Sequence, residues 1–192
     1  MPVARIYLAG PEVFLPAQRR ESIAREKRRI LEELGLEGLD PMDNGLTLAD
    51  SDSPMAQGQA IYQANIRLIR GCDGALVNLS PFRGPSADAG TVFETGFLAA
   101  LGKPMVGYTC HAGDYEQRVR RPGNGDVDEW GRAVERFGQV DNLMIESAIL
   151  AVGGRVLRGD TMPAEGAVDF DAPLFLKAAR ALAVRLRQGR AD

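Results

Sequence analysis

Short apolar segments alternate with segments of helical periodicity along most of this chain. Apolar, β-prone runs occur at four places, residues 3–9, 36–42, 74–79 and 105–108. Strands that alternate with helices at such spacing are typical of a parallel sheet with helices packed against both faces. The sequence therefore predicts an α/β fold, a doubly wound (flavodoxin/Rossmann-like) parallel sheet of about five strands with helices on both faces.

Helices are predicted where apolar residues recur every three or four positions. The first such segment carries Ile23, Ile30 and Leu34 on one side, and Gly35 is a typical residue after a helix end. The predicted helices comprise residues 16–34, 57–70, 91–101, 132–138, 142–150 and 173–188.

The remaining segments are predicted as loops, at residues 44–56 and 110–130, because they are polar and irregular. A chain of 192 residues has the length of one domain. We therefore expect a single domain over residues 1–192, with a helical extension at 151–192.

Composition limits the possible partners. The formal net charge is −3 and no basic run is long enough for a nucleic-acid tract. No apolar span approaches the roughly 18 residues of a membrane helix, and the amino-terminal apolar stretch is too short for a signal peptide. We therefore expect a cytoplasmic protein that binds neither a membrane nor a nucleic acid polymer.

Few residues are available for metal or cofactor chemistry. Cys72 and Cys110 form no metal-type pair and are expected to be small buried residues. His111 is the only histidine and is expected in a surface loop, which argues against a histidine-rich metal site or a His-dependent triad. The phosphate-binding and dinucleotide-binding glycine motifs are absent as well. We expect no metal and no cofactor.

The carboxyl-terminal ends of the predicted strands collect polar and glycine-rich loops. These are Gly10-Pro11, Asp43-Asn44, residues 80–88 and the turn after Tyr108. Ligands of open α/β sheets bind at this edge. The sequence therefore predicts that the functional site lies there.

Glu94 is the most informative carboxylate. It follows Asp88, a suitable N-cap, by six residues and stands among small or apolar neighbours, so that much of this helix is expected to be buried. A glutamate on a buried helix is rare without a task, although a solvated surface position or an arginine partner is the alternative. Asp43, Asp73 and Asp88 could join it. Asp73 has the weakest local case, since it stands at a strand start, away from the binding edge.

Several carboxylates close together would differ in pKa, so that some stay ionised and others protonated. Glycosyl transfer needs this difference, because the nucleophile must be ionised and the general acid must carry a proton. Four segments occur in a fixed order along the chain: IYLAGPEVF at 6–14, PMDN at 41–44, NLSPFRGPSADAGTVFETGFLAALGKP at 78–104 and Asp141-Asn142. With this ordered set, the sequence resembles the nucleoside 2-deoxyribosyltransferase family over residues 4–150.

The resemblance implies a base-exchanging enzyme that acts on a 2'-deoxynucleoside and a free nucleobase. It implies that Glu94 is the nucleophile that attacks C1' of the deoxyribose, that Tyr7 orients this carboxylate, and that Asp73 donates a proton to the leaving base. It also implies that Asp88 holds the sugar hydroxyl at the 5' end. If Asp73 has this role, the fold must bring it closer to the site than its place at a strand start suggests.

Further positions are implied around the base and between subunits. Gly10 and Phe14, together with Asp43 and Asn44, are expected beside the base. Asn142 is expected to reach the sugar in a neighbouring subunit, so that the active enzyme is a homo-oligomer with sites completed across the interface. Shorter family members end soon after the Asp-Asn segment, and the carboxyl-terminal forty residues therefore receive no role.

Three alternatives stay open. A 2'-deoxynucleoside 5'-monophosphate N-glycosidase would hydrolyse the same bond; Asp88 would repel its phosphate, but Arg83 and Ser86 lie close in sequence. A cytokinin-activating phosphoribohydrolase shares a Gly-Thr-x-x-Glu segment but has two glycines where this chain has Asp88-Ala89. A non-catalytic nucleotide-binding module would not need an ionised Glu94.

Overall fold

The structure is a computed structural model that describes residues 2–43, 45–46, 53–161 and 170–189. Five parallel strands form one sheet in the order β2-β1-β3-β4-β5. The strands are β1 (Ala4–Ala9), β2 (Leu36–Leu39), β3 (Gly74–Asn78), β4 (Met105–His111) and β5 (Arg155–Thr161). The predicted five-stranded, doubly wound fold is confirmed.

Six helices accompany the sheet. They are α1 (Ala17–Glu33), α2 (Pro54–Gly71), α3 (Ala89–Ala100), α4 (Tyr115–Arg118), α5 (Leu143–Ala151) and α6 (Ala172–Gln188). Short 3-10 helices follow two strands, at Pro11–Phe14 and Pro41–Asp43, and a third occurs at Pro122–Asn124. None of the helices described is long and apolar enough to cross a membrane.

The two sheet faces bury separate apolar cores. On β1, Ile6 and Leu8 pack with residues of α1 and α6, whereas Tyr7 and Ala9 pack with residues of α2, α3 and α5. Successive side chains of a strand point to opposite faces, which explains the division. Tyr7 therefore faces the helix that carries Glu94.

The carboxyl-terminal segment differs from the prediction of a helical extension at 151–192. It contributes the edge strand β5 before helix α6. The strand sequence RVLRGDT lacks a continuous apolar run because β5 pairs on one side only and is half-exposed. The end of the chain therefore completes the sheet as well as covering it.

Residues 132–138 were predicted to be helical, and this was wrong. Ala133 forms an isolated antiparallel bridge with Val127, and Gly131 and Gly138 adopt positive φ at either end of the segment. A seven-residue pattern is too short to form a helix without strong tertiary packing. The predicted loop at 110–130 in turn contains α4, and His111 is the last residue of β4 rather than a loop residue.

Candidate active site

A cavity of about 450 Å³ opens at the carboxyl-terminal ends of β1 and β2, next to the start of α3. The chain runs from β1 to β2 on one side and then crosses back to β3 on the other side of β1, and ligands bind at such a switch point in open α/β sheets. The described residues that line the cavity are Gly10, Val13, Phe14, Pro41, Met42, Leu46, Ile61, Asn65, Asp88, Gly90, Thr91 and Glu94.

Glu94 and Tyr7 form a hydrogen-bonded pair at the bottom of this cavity. The Tyr7 hydroxyl donates to Oε1 of Glu94 at 2.5 Å, and the tyrosine is fully buried. Phe93 next to Glu94 is 50% exposed, so α3 is less buried than predicted. The Glu94 carboxylate nevertheless lies between the sheet and the cavity, because it points toward the face of β1 that carries Tyr7.

Burial changes the acidity of both groups. It raises the pKa of Glu94 to about 7, the Tyr7 hydrogen bond opposes the rise, and the negative charge of Asp88 adds to it. Burial and the neighbouring Glu94 carboxylate raise the pKa of Tyr7 well above its usual value. Tyr7 is therefore a hydrogen-bond donor at any physiological pH, while Glu94 changes its charge near neutrality.

Asp88 begins α3 and lines the cavity, as the sequence predicted. Its Oδ2 accepts from the Thr91 backbone N–H at 3.0 Å and from the Thr91 hydroxyl at 3.2 Å. Behind it, buried Asp141 accepts from the Ser86 hydroxyl and from the Ala87 backbone N–H at 2.7 Å. The Asp141 carboxylate thus fixes the loop that sets the position of Asp88 and α3.

Asn65 is a cavity residue that the sequence reasoning missed. It lies on α2, within the helix predicted over residues 57–70. Its Oδ1 is shielded from solvent and has no hydrogen-bond partner within the described ranges. A polar side chain on an otherwise apolar helix face was the available signal, since buried polar atoms usually have partners.

Phe14 and Gly10, which the resemblance implies beside the base, line the cavity. Phe14 is 52% exposed and stacks on Phe82, with ring centroids 5.0 Å apart. The Arg83 guanidinium covers both rings, at 5.1 Å and 4.7 Å from their centroids. The Phe14 ring is thus held at the mouth of the cavity as an aromatic surface.

Asp73 does not join the site, and its expected place beside the base is wrong. It precedes β3, at the amino-terminal end of the strand, where its Oδ2 accepts from the Arg5 backbone N–H at 2.8 Å. Strand β3 spans five residues at about 3.3 Å each, and the cavity lies at the opposite ends of the strands. Asp73 therefore lies where the direction of the strand predicts.

Three further predicted residues lie away from the cavity lining or outside the described residues. Asp43 is paired with Arg28 at 2.5 Å and lines a neighbouring surface depression. Asn142 caps α5, accepts from the Met144 backbone N–H and donates to Glu135 at 2.8 Å. Asn44 lies outside the described residues.

No metal site occurs in the part of the chain that the structure describes: no three His, Cys, Asp or Glu side chains come together there.

Comparison with known protein families identifies the kind of site that this cavity forms. The sequence model of the family described as nucleoside 2-deoxyribosyltransferase matches residues 6–144, which include the cavity lining and the Glu94–Tyr7 pair.

The chain belongs to the nucleoside 2-deoxyribosyltransferase family. The 2-desoxiribosyltransferase from Leishmania mexicana is similar in structure, with 33% sequence identity and a TM-score of 0.61 over 74% of this chain and 85% of that one. An uncharacterised protein of Schizosaccharomyces pombe is 30% identical over 200 aligned positions, which cover 94% of this chain and 89% of the yeast protein. A conserved protein from Enterococcus faecalis V583 shares the fold, with 20% identity and a TM-score of 0.56 over 93% and 98% of the two chains.

Membership in this family makes the chain an enzyme of the pentosyltransferase and N-glycosidase type. The resemblance stated from the sequence is thereby confirmed.

Proposed function

We propose that the protein exchanges the nucleobase of 2'-deoxynucleosides through a deoxyribosyl ester of Glu94. The main support for the proposal is the position of the Glu94 carboxylate. It faces a nucleoside-sized cavity and accepts a hydrogen bond from the Tyr7 hydroxyl at 2.5 Å. Ligand cavities commonly measure about 300–1,000 Å³, so a cavity of about 450 Å³ has room for a base and a sugar.

The reaction has two displacement steps. An oxygen of ionised Glu94 attacks C1', the C1'–N bond breaks, and its electron pair leaves with the base, which takes up a proton from solvent water. A nitrogen of the incoming base then attacks C1', gives its proton to solvent water and displaces the carboxylate as the ester bond breaks. Two inversions give net retention, as in glycosidases that use a carboxylate nucleophile.

Tyr7 and Asp88 position the reactants in this scheme. The Tyr7 hydroxyl holds one oxygen of Glu94, which leaves the other oxygen for attack on C1'. Asp88 reaches the cavity from the start of α3 and has acceptor capacity for a sugar hydroxyl. Because Asp73 is remote, it has no part in protonating the leaving base.

Asn65 and Phe14 form the base side of the cavity. The Oδ1 of Asn65, which has no partner among the described residues, can accept from an N–H of a base, while the amide N–H groups of the same side chain can donate to an adjacent acceptor. An aromatic ring such as Phe14 offers a surface on which a base can stack. We propose that these two residues bind the nucleobase.

The 5'-monophosphate hydrolase is the second candidate. Arg83 stands at the mouth of the cavity, but its guanidinium covers Phe14 and Phe82. The Ser86 hydroxyl is engaged by Asp141. Asp88, which lines the cavity, would repel a phosphate dianion. These contacts favour a nucleoside over a nucleotide.

We also propose a homo-oligomer in which Asn142 approaches the site of a neighbouring copy. Asn142 lies outside the lining of its own cavity, which supports a role elsewhere. Light scattering on a size-exclusion column measures the oligomeric state. A monomer that retains full activity would contradict this part of the proposal.

The function is tested by incubation of the protein with deoxyinosine and free adenine or cytosine, followed by chromatography. A new deoxynucleoside is expected. Free deoxyribose alone would indicate a hydrolase, and no turnover of nucleosides or monophosphates would indicate a binding module. The Glu94→Ala and Glu94→Gln variants are both expected to lose transfer, and full activity in either would rule out the mechanism.

A further inference from the structure

A buried ion pair lies behind the cavity wall, on the side of the sheet away from Glu94. Lys27 Nζ of α1 donates to Oε1 of Glu12 at 2.5 Å, and the two residues are 4% and 8% exposed. Taking both charges out of water is costly, and an apolar pair of similar volume is often as stable. Stability alone therefore does not explain why this pair is present.

Glu12 is the centre of a chain of hydrogen bonds. Asn78 Nδ2 at the end of β3 donates to Oε1 of Glu12 at 2.9 Å. Asn78 Oδ1 in turn accepts from the Ser80 backbone N–H at 3.0 Å. The carboxylate thus connects α1 and β3 with the first residues of the loop that leads to Asp88.

The charge state of Glu12 is fixed by these partners. Burial raises the pKa of Glu12, but the Lys27 ammonium and the hydrogen bonds from Lys27 and Asn78 outweigh it and hold the pKa below its ordinary value. The carboxylate is therefore ionised at the pH at which Glu94 titrates, and it presents acceptors only.

The segment that carries Glu12 is also the wall of the cavity. Glu12 lies in the 3-10 helix Pro11–Phe14, and its neighbours Gly10, Val13 and Phe14 line the cavity. A Cβ atom at Gly10 would overlap Oε2 of Glu12, so the glycine provides the space for the carboxylate. Any shift of Glu12 would therefore move the aromatic ring at the mouth of the cavity.

The opposite end of the hydrogen-bond chain reaches the partner of that ring. Asn78 and Ser80 precede Phe82, which stacks on Phe14. One carboxylate is thus tied to both segments that carry the stacked rings. The catalytic pair is independent of it, because Tyr7 packs on the other face of β1.

We propose that Glu12 is a positioning residue that holds the Phe14 wall at the distance required for a nucleobase, with Lys27 compensating its buried charge. This inference rests on the proposed function. It predicts that loss of the carboxylate weakens substrate binding and leaves the covalent step at Glu94 intact.

The decisive variant is Glu12→Met with Lys27→Met, which removes both charges and retains volume. A melting temperature within a few degrees of the unmodified protein is expected, since apolar replacement of a buried pair is often neutral. KM for the nucleoside is expected to rise about tenfold, with kcat within about twofold, which corresponds to the loss of about 1.4 kcal/mol of binding.

A conservative variant should restore binding. Glu12→Gln with Lys27→Met retains an oxygen that accepts from Asn78, so most of the affinity is expected to return. The exposed pair Arg29–Glu33 on the same helix is the matched control, because replacing both residues by Met removes charge from α1 away from the cavity. The control is expected to keep the original KM.

Unchanged KM in a folded Glu12→Met/Lys27→Met protein would overturn the proposal. If that variant does not fold, Asn78→Ala decides, because it breaks the link to β3 with the ion pair intact. It should raise KM similarly, and an unchanged KM would refute the role. Calorimetric binding of free adenine separates this outcome from failure of the proposed function. If the unmodified protein binds adenine but shows no turnover, the proposed function fails, and the affinity of the Glu12 variants for adenine still tests the role of Glu12. If the unmodified protein shows neither turnover nor binding, both proposals are overturned.

Discussion

The pH dependence of base transfer tests the direction in which the surroundings of Glu94 shift its pKa. The nucleophile must be ionised, and burial raises the pKa of Glu94 to about 7. We expect kcat/KM, which reports groups of the free enzyme, to rise with pH and to level off above about pH 8. With a pKa near 7, the ionised fraction increases about a hundredfold between pH 5 and pH 8.

Two substitutions should shift the rising part of the kcat/KM profile, its acidic limb, along the pH axis in opposite directions. Tyr7→Phe removes a hydrogen bond that favours the carboxylate, and such a bond to a charged group contributes about 1.5–3 kcal/mol, so the limb should move up by about one pH unit or more. Asp88→Asn removes a negative charge that disfavours ionisation, so the limb should move down. Asparagine caps helices as well as aspartate, and α3 should stay intact.

The assay is the initial rate of deoxyadenosine formation from deoxyinosine and adenine at constant ionic strength, from pH 5 to pH 9. Both variants are expected to be slower at the plateau, and the position of the limb carries the information. A limb near pH 4.5 in the unmodified protein, or shifts of the same sign in both variants, would refute the reasoning.

Three further predictions concern other parts of the site. Asn65→Leu should remove most of the preference for adenine over purine, which has no exocyclic amino group; competition between the two acceptor bases measures the ratio, and Gln63→Leu on the exposed side of α2 should retain it. Glu94→Gln should stabilise the protein at pH 8 by up to about 3 kcal/mol and hardly at all at pH 4. The reason is that a carboxyl whose pKa is raised from 4.5 to about 7 in the folded protein destabilises the fold as the pH rises through that interval. Urea unfolding at both pH values measures the difference, and an exposed carboxylate would show none. Asp141→Ala should lower the free energy of unfolding by about 3 kcal/mol, because it leaves the Ser86 hydroxyl and the Ala87 N–H without their acceptor; a melting temperature within 2 °C or so of the original would contradict this.

The sequence predicted the sheet because its strands leave local patterns. Four apolar runs predicted β1 to β4. The local pattern around Glu94 predicted only a carboxylate on a buried helix near the binding edge, and its role as nucleophile came from the resemblance and stays a prediction. The edge strand β5 has no such pattern, since one side of it is open to solvent and its residues are largely polar. Its existence depends on pairing with β4, which is a tertiary event.

The polar residues in and behind the cavity wall were harder to predict for the same reason. Asn65 and Glu12 belong to segments that a periodicity argument assigns to packing, and only the assembled fold shows which polar atoms have partners. Asp73 is the opposite case. The resemblance placed it beside the base, whereas the direction of β3 placed it at the far end of the sheet, and the structure agrees with the strand direction.

The alternation of β1 explains how one strand contacts two separate groups of side chains. Tyr7 points to the face of α2, α3 and α5, where it donates to Glu94, whereas Ile6 and Leu8 point to the face of α1, the helix that carries Lys27. The chain then leaves the strand at Gly10, and the Glu12 carboxylate pairs with Lys27 on that second face. In the proposed mechanism, the covalent chemistry and the position of the aromatic wall therefore depend on opposite faces of the sheet. Substitutions at Tyr7 should therefore act on the rate of the covalent step, those at Glu12 on affinity, and a variant that combines both changes should show additive effects.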